Sequence, residues 1–256
     1  MTAPLFLVPP GSLAEVSSGQ IVTVEGAEAR HAVSVLRLRA GEPLYLGDGA
    51  GVRVLGEVVS ADPRALEVRV TDLASAPAYG HEFVLVQALA KGDRDEQAIE
   101  MATELGVDVV IPWQAERSVS QWRSDKAARG RAKWEAVVTA ATKQSRRWTT
   151  PLVRPLATTE EVCRVLASAD LGLVLHEEST ERLAAEALPE LGRIVVVVGP
   201  EGGISAAELL RLRDAGGVAV RLGPEVLRTS SAGPAALAVL ASRLRWGRTG
   251  DQPSLG

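Results

Sequence analysis

The residues with the clearest chemical potential lie between Arg193 and Leu244. Two apolar runs there, Ile194 to Val198 and Val218 to Leu222, each end in a Gly-Pro-Glu turn: Gly199-Pro200-Glu201 and Gly223-Pro224-Glu225. Gly202 and Gly203 extend the first turn and can take positive φ, which lets a ligand approach the backbone closely. Ser205 followed by Glu208 has the spacing of a capping box, so a helix should start there with its first amides free to face a ligand. The second turn leads through Leu227-Arg228-Thr229-Ser230-Ser231-Ala232-Gly233-Pro234 into apolar residues at helical spacing, Ala232, Ala235, Ala236, Val239 and Leu240. Thr229, Ser230 or Ser231 could cap that helix, and Pro234 is tolerable in its first turn. Neither loop has the Gly-Lys-Ser/Thr of a phosphate loop or the G-x-G-x-x-G of a dinucleotide fold. A plain strand-turn-helix connection would explain either loop alone. Two such loops in one sheet favour a ligand site at the carboxyl ends of the strands.

A second concentration of chemistry runs from Arg123 to Arg147. Eight Lys and Arg stand there against Asp125 and Glu135, a local balance of +6, and Trp113, Trp122, Trp134 and Trp148 lie in or beside it. Cations neutralise phosphates and aromatic faces stack on unpaired bases, so the stretch suits RNA. A helix with Trp134, Val137 and Val138 packed inward and a solvated charged face is the blander reading, and Trp134 is expected in the core. Arg146 and Arg147 are the residues expected to touch RNA.

The elements that must position these groups fall into two rhythms. In residues 5 to 72, short runs at Ile21 to Val24, Pro43 to Leu46, Val52 to Val59 and Ala65 to Val70 read as strands, and Glu28 to Arg37 reads as one short helix. Several strands with a single helix suggest a small β-barrel. Arg30, His31, Arg37 and Arg39 cluster near one end of it, where they could meet phosphate or simply be solvated. Asp72 to Gly80 has linker composition. Beyond it, strand candidates at Phe83 to Leu89, Val107 to Ile111, Leu171 to Leu175, Ile194 to Val198 and Val218 to Leu222 alternate with helical stretches. That alternation implies a parallel sheet covered on both faces. The helix from about Arg94 to Leu105 ends at Gly106, and Lys91 and Arg94 stand at its start, where cations are mildly unfavourable.

Composition bounds the class. The 256 residues allow one large or two modest domains, and a net charge of −4 disfavours a non-specific nucleic-acid coat protein while leaving room for local basic patches. Cys163 is the only cysteine and His31, His81 and His176 the only histidines, which excludes a disulfide framework and argues against a cysteine- or histidine-based metal centre. No apolar run approaches the roughly 20 residues needed to span a bilayer, and Met1 to Leu13 lacks the features of a signal peptide. A soluble, cytoplasmic protein without membrane or metal partners is expected. The tail from Gly247 to Gly256 is expected to be disordered.

The pair V-G-P-E-G-G-I-S-A-A-E and L-G-P-E-V-L-R-T resembles the signature of the ribosomal RNA small-subunit methyltransferase E family, which belongs to the SPOUT class of knotted methyltransferases. Ala90-Lys91-Gly92-Asp93-Arg94 through Ala102-Thr103-Glu104-Leu105-Gly106, Ala140 to Arg147, and Arg30 to Arg37 also match, so the resemblance covers most of the chain. It implies a PUA-like β-barrel, RNA-binding, over 1–74 and a SPOUT methyltransferase domain over 80–248 whose parallel α/β sheet carries a trefoil knot. It implies S-adenosylmethionine as cofactor and N3 of a uridine in 16S rRNA, within the assembled small ribosomal subunit, as acceptor. Leu175, His176, Gly199, Glu201, Gly202, Leu222, Gly223, Val226, Leu227 and Ser231 become the expected cofactor contacts. Arg228 becomes the candidate that stabilises the uracil anion, and Glu201 a weaker candidate for base or cofactor amine contact. Arg30, His31, Arg37, Lys91, Arg94, Arg146 and Arg147 become the expected RNA contacts. A homodimer through the knot-side helices, including 231–244, is implied as well.

Three positions depart from the family pattern. Ser230 stands where an acid commonly follows L-R-T, and Lys143-Gln144-Ser145-Arg146-Arg147 replaces Glu-Gln-Ser-Gly-Arg. A methyltransferase of the same class acting on another ribosomal RNA or transfer RNA nucleotide, and a ribosome assembly factor that binds RNA without catalysis, are the competing readings.

Overall fold

A computed structural model of the chain describes residues 3–246. The expected disordered tail and the last two residues of the expected 80–248 domain lie outside the described residues. By contacts the chain divides into two units. Of the described residues, the first comprises those up to Ala78 together with Thr142–Thr150; the second comprises Tyr79–Ala141 and 151–246. The segment 142–150, expected with the 80–248 domain, groups with the first unit instead. Its hydrogen bonds explain why: Thr150 donates its amide to the Gly49 carbonyl, the Arg53 Nη2 donates to the Arg146 carbonyl at 2.7 Å, and the Arg53 guanidinium lies 4.1 Å over the Trp148 ring.

In the first unit, β1 (Leu5–Leu7), β2 (Ile21–Glu25), β3 (Pro43–Gly47), β4 (Val52–Ala61) and β5 (Ala65–Ser75) form one sheet in the order β1-β3-β4-β5-β2. All pairs are antiparallel except β1 with β3. Inward residues alternate along these strands: Leu44 and Leu46, Val54 and Val58, Leu66, Val68 and Val70 are buried with Phe6 and Leu13. Gly56 sits at a register shift in β4, and a Cβ there would meet Val68 Cγ1 at 2.3 Å. The helix expected over Glu28 to Arg37 is instead a short α1 (Gly26–Arg30) running into a π-helical turn, His31–Val35, and Arg37 follows with φ of 58°. β5 also continues to Ser75, shortening the expected linker.

The second unit is built on six parallel strands in the order β11-β9-β10-β6-β7-β8. These are β6 (His81–Ala88), β7 (Val109–Trp113), β8 (Leu152–Val153), β9 (Leu171–Leu175), β10 (Gly192–Val198) and β11 (Gly217–Val220). The helices are α2 (Arg94–Glu104), α3 (Asp125–Ser145), α4 (Thr159–Ala167), α5 (Ala206–Asp214) and α6 (Thr229–Leu244). The continuous β-branched runs are what a sheet buried on both faces requires. Phe83, Leu85, Ile194, Val196 and Val198 pack on one face with Ile99, Trp134, Leu237 and Leu240 from α2, α3 and α6. Val84, Val86, Val195 and Val197 pack on the other with Val162, Leu166 and Leu212 from α4 and α5. Trp134 is buried as expected and meets Trp122 edge-on at 5.4 Å.

Helix α6 begins at Thr229, earlier than the apolar spacing suggested, so Pro234 falls at its sixth position rather than in the first turn. No side chain caps this helix; Arg228 occupies the N-cap position with extended backbone. Gly233 on α6 brings the helix close to β6 and β10, since a Cβ there would lie 3.0 Å from Leu85. Among the described residues, no helix is long and apolar enough to cross a membrane.

Candidate functional site

The chain reverses its direction of growth across the second sheet. From β6 it adds β7 and β8 on one side, then returns to lay β9, β10 and β11 on the other. Ligands bind in open α/β sheets at the carboxyl ends of strands flanking such a reversal. A cavity of about 410 Å³ opens there, at the ends of β9, β10 and β11 and the start of α6. It lies within the 300–1,000 Å³ range of small-molecule sites.

Both Gly-Pro-Glu loops contribute. From the first come Gly199, Pro200, Glu201 and Gly203; from the second come Leu222, Gly223, Val226 and Leu227, with Arg228 and Thr229 closing into α6. Leu175 and His176 enter from β9. The His176 amide donates to the Val220 carbonyl at 2.9 Å, while Nδ1 accepts from the Glu178 amide at 3.3 Å, which leaves the neutral ring's proton on Nε2. The expected capping box forms: Ser205 Oγ accepts from the Glu208 amide at 3.2 Å, and the Glu208 carboxylate reaches back to the Ser205 amide. The first loop thus ends in a rigid helix start.

Two expected cofactor residues do not line the cavity. Gly202 faces Arg117: its carbonyl accepts from Arg117 Nη1 at 3.0 Å, and a Cβ would lie 3.2 Å from Arg117 Cβ. Ser231 is turned away by helical periodicity, since Thr229 and Ala232, three positions apart, share the face of α6 that lines the cavity, and Ser231 lies two positions, about 200°, round the helix from Thr229.

The charges are organised around Glu201. Its Oε1 accepts from the Lys91 amide at 3.0 Å and from Arg94 Nη1 at 2.9 Å, joining the loop after β6 to the loop after β10. Burial pushes the Glu201 carboxyl up, but its own backbone amide, that of Lys91 and the Arg94 guanidinium outweigh this and hold it below the usual glutamate range. A carboxylate so held is a poorer proton acceptor. Arg228 also lines the cavity, is exposed, and has no side-chain hydrogen-bond partner among the described residues. Asp95, in the first turn of α2, is buried; burial raises its pKa to about 6 against the amides of Ala90 and Glu96.

The expected RNA contacts separate into two groups. Lys91 and Arg94 belong to the second unit, and Arg94 lines the cavity. Arg30, His31, Arg37, Arg146 and Arg147 belong to the first unit. There His31 stacks edge-on against Phe6, Arg146 has φ of 56° just past α3, and Arg147 Nη2 donates to Thr149 Oγ1 at 3.4 Å. Lys143, one of the departures from the family pattern, pairs with Glu28 at 2.8 Å.

Arg117, Gln87 and Thr229 were not singled out by sequence as functional. Arg117 carries no local signal. Thr229 was read only as a possible cap. Gln87 was visible in principle, as a single polar side chain in an apolar strand, because a buried amide must be hydrogen-bonded to something.

The second unit matches the model of an RNA methyltransferase domain over residues 79–241, and residues 24–71 match that of an RNA methyltransferase PUA domain. The fold is therefore that of an RNA methyltransferase. The relatives narrow the class. The chain is 45% identical over 233 residues, 88% of this chain and 89% of the relative, to ribosomal RNA small subunit methyltransferase E of Mycobacterium tuberculosis. It is 28% identical to the Bacillus subtilis protein of the same name, over 93% of this chain and 96% of that one. The solved structure of the Neisseria gonorrhoeae enzyme of that name, bound to S-adenosyl methionine, superposes with a TM-score of 0.83 at 29% identity, covering 94% of this chain and 98% of that chain. The chain belongs to the ribosomal RNA small subunit methyltransferase E family.

Proposed function

We propose that this chain transfers the methyl group of S-adenosylmethionine to N3 of a uridine in the 16S rRNA of the small ribosomal subunit. The observation that carries the reading is the cavity itself: two Gly-Pro-Glu loops and the start of α6 enclose a site of cofactor size at the carboxyl rim of the sheet, in a family whose Neisseria member binds that cofactor.

The residues fit the group. Leu175, Val198, Leu222 and Leu227 offer apolar walls to a heterocycle, Gly199 and Gly223 expose backbone, and Glu177 and Glu225 offer negative charge to a cationic ligand. S-adenosylmethionine supplies an electrophilic methyl carbon on a sulfonium and leaves as a neutral thioether, so no acid is needed at the leaving group. The demand falls on the nucleophile, because N3 of uridine carries a proton. The N3 proton passes to water, and Arg228 stabilises the uracil anion left behind with a fixed positive charge at the cavity. Glu201, held in its charged form, fixes Arg94 beside the same opening. The rest of the acceleration comes from holding methyl and N3 in line. Because N3 is hidden in a base pair, the target must be unpaired or flipped out.

The wider reading follows the family. Residues 1–74 form a PUA-like barrel that contacts RNA phosphate through Arg30, His31 and Arg37, with Arg146 and Arg147 from the basic stretch adding to it. Residues 80–248 form the SPOUT domain, in which the two loops and 226–233 make a trefoil knot, one of the rare exceptions to unthreaded connections. The protein works as a homodimer through the helices on the knot side, in the cytoplasm where ribosomes are assembled.

Nucleoside mass spectrometry tests the reaction. Small subunits lacking the modification are incubated with the protein and S-adenosylmethionine, and the RNA is digested. New 3-methyluridine is expected. A different methylated nucleoside would replace the acceptor, and absence of both methylation and cofactor binding would overturn the reading.

A further inference from the structure

Gln87 is the one polar residue along the apolar strand β6 from Phe83 to Ala88, and it is fully buried. Its Nε2 donates to Thr229 Oγ1 at 2.9 Å, and Thr229 Oγ1 donates in turn to the Gly199 carbonyl at 2.8 Å. A hydroxyl has one proton, and here it goes to Gly199, so the direction of the chain is set: amide to hydroxyl to carbonyl. The three residues come from β6, the start of α6 and the loop after β10. Thr229 is the first helical residue, just after Arg228 at the N-cap; its hydroxyl serves a different loop, and the helix has no side-chain cap.

The arrangement is not one that stability alone would select. Gln87 Oε1 has no partner among the described residues, and a buried amide with unmet capacity is costlier than an apolar side chain of the same shape. Features that break a local rule in this way concentrate at functional sites. Gly199 and Thr229 line the cavity. Gly199 is also confined on its other side, where a Cβ would meet Ile204 Cγ1 at 2.7 Å.

We propose that Gln87 and Thr229 are positioning residues of the methyl-transfer site. They act through the Gly199 carbonyl: the relay fixes the Gly199–Pro200 peptide against the first turn of α6, and so sets the backbone on which the cofactor rests. The proposal depends on the cavity being the S-adenosylmethionine site.

Titration calorimetry with S-adenosylmethionine, run beside steady-state kinetics and thermal melting, separates the two. Failure of the wild-type protein to bind overturns the cofactor reading itself, and the relay's role falls with it. Given wild-type binding, Thr229→Val, which keeps shape and loses the hydroxyl, should weaken the cofactor Kd about tenfold with kcat at saturation changed less than about threefold. Thr229→Ser should stay within about twofold of wild type. Gln87→Met should weaken Kd by about fivefold, and the Gln87→Met/Thr229→Val protein should be no weaker than Thr229→Val alone, because the two act as one unit. The relay is overturned if Thr229→Val binds as wild type, if Thr229→Ser is as weak as Thr229→Val, or if the variants lose melting temperature while Kd stays unchanged.

Discussion

The two rims of the parallel sheet use charge in opposite ways. At the amino rim, Arg245 is buried and both its terminal nitrogens are paired: Nη1 donates to the Gly106 carbonyl at 2.6 Å, Nη2 to the His81 carbonyl and to Asp108, and the guanidinium lies 3.8 Å over the Phe83 ring. Asp108 also accepts from the Phe83 amide at 2.8 Å. This cluster ties the end of α6 to the starts of β6 and β7. At the carboxyl rim, Arg94 and Glu201 pair in partial exposure, Arg228 reaches the cavity without a partner among the described residues, and Asp95 is buried as a carboxylate without a cation. Charge is spent on cohesion at one rim and left available at the other. A fold of this kind keeps its stability and its chemistry at separate ends of the same strands.

Substitutions at the two rims should therefore differ in sign as well as size. Arg245→Ala removes the cation from Asp108 and the donors from two carbonyls, and should destabilise the protein by about 3–5 kcal/mol. Denaturant unfolding would show it, while a stabilised background should keep cofactor affinity. An Arg245→Ala protein with wild-type stability would break the comparison.

Asp95→Asn should act the other way. The Asp95 pKa rises from 3.8 to about 6 on folding. The folded state therefore binds its proton more tightly, and the favourable contribution is present in full below pH 3.8 and lost as pH rises through about 6. At pH 7.5 the buried charge is a net cost, and Asp95→Asn should stabilise by about 1–3 kcal/mol, with the gain vanishing near pH 4. A gain that is equal at both pH values would mean that the charge is not its source.

The smallest effect on the fold belongs to Glu201→Gln. Weakening a partly exposed ion pair should cost under about 1 kcal/mol of stability. The same change should lower kcat/KM several-fold by loosening Arg94. Equal losses in melting temperature and activity would place Glu201 with the cohesive charges of the amino rim.

Much of this fold was legible in the sequence, for physical reasons that can be named. Ile194 to Val198 could hardly be anything but a doubly buried strand, and Ser205 with Glu208 announced the start of α5. Both glycine loops of the cavity were visible because their chemistry is local. The pairing of Arg94 with Glu201 was not, because it joins residues 107 positions apart. The π-helical turn after Arg30 and the membership of 142–150 in the first unit depend on packing that no local propensity encodes. Gly202 and Ser231 lie outside the cavity lining for a related reason: a loop or a helix start can be recognised from sequence, but which of its residues faces the cavity depends on what packs behind it. For Gly202 that is Arg117.

The central claim is that a free positive charge at the carboxyl rim works on the acceptor and not on the fold or the cofactor. Single-turnover methylation of small subunits by Arg228→Ala, at saturating S-adenosylmethionine, tests it most directly. The rate should fall about 10²–10³-fold with cofactor Kd and melting temperature unchanged. Methylation at the wild-type rate would contradict the claim.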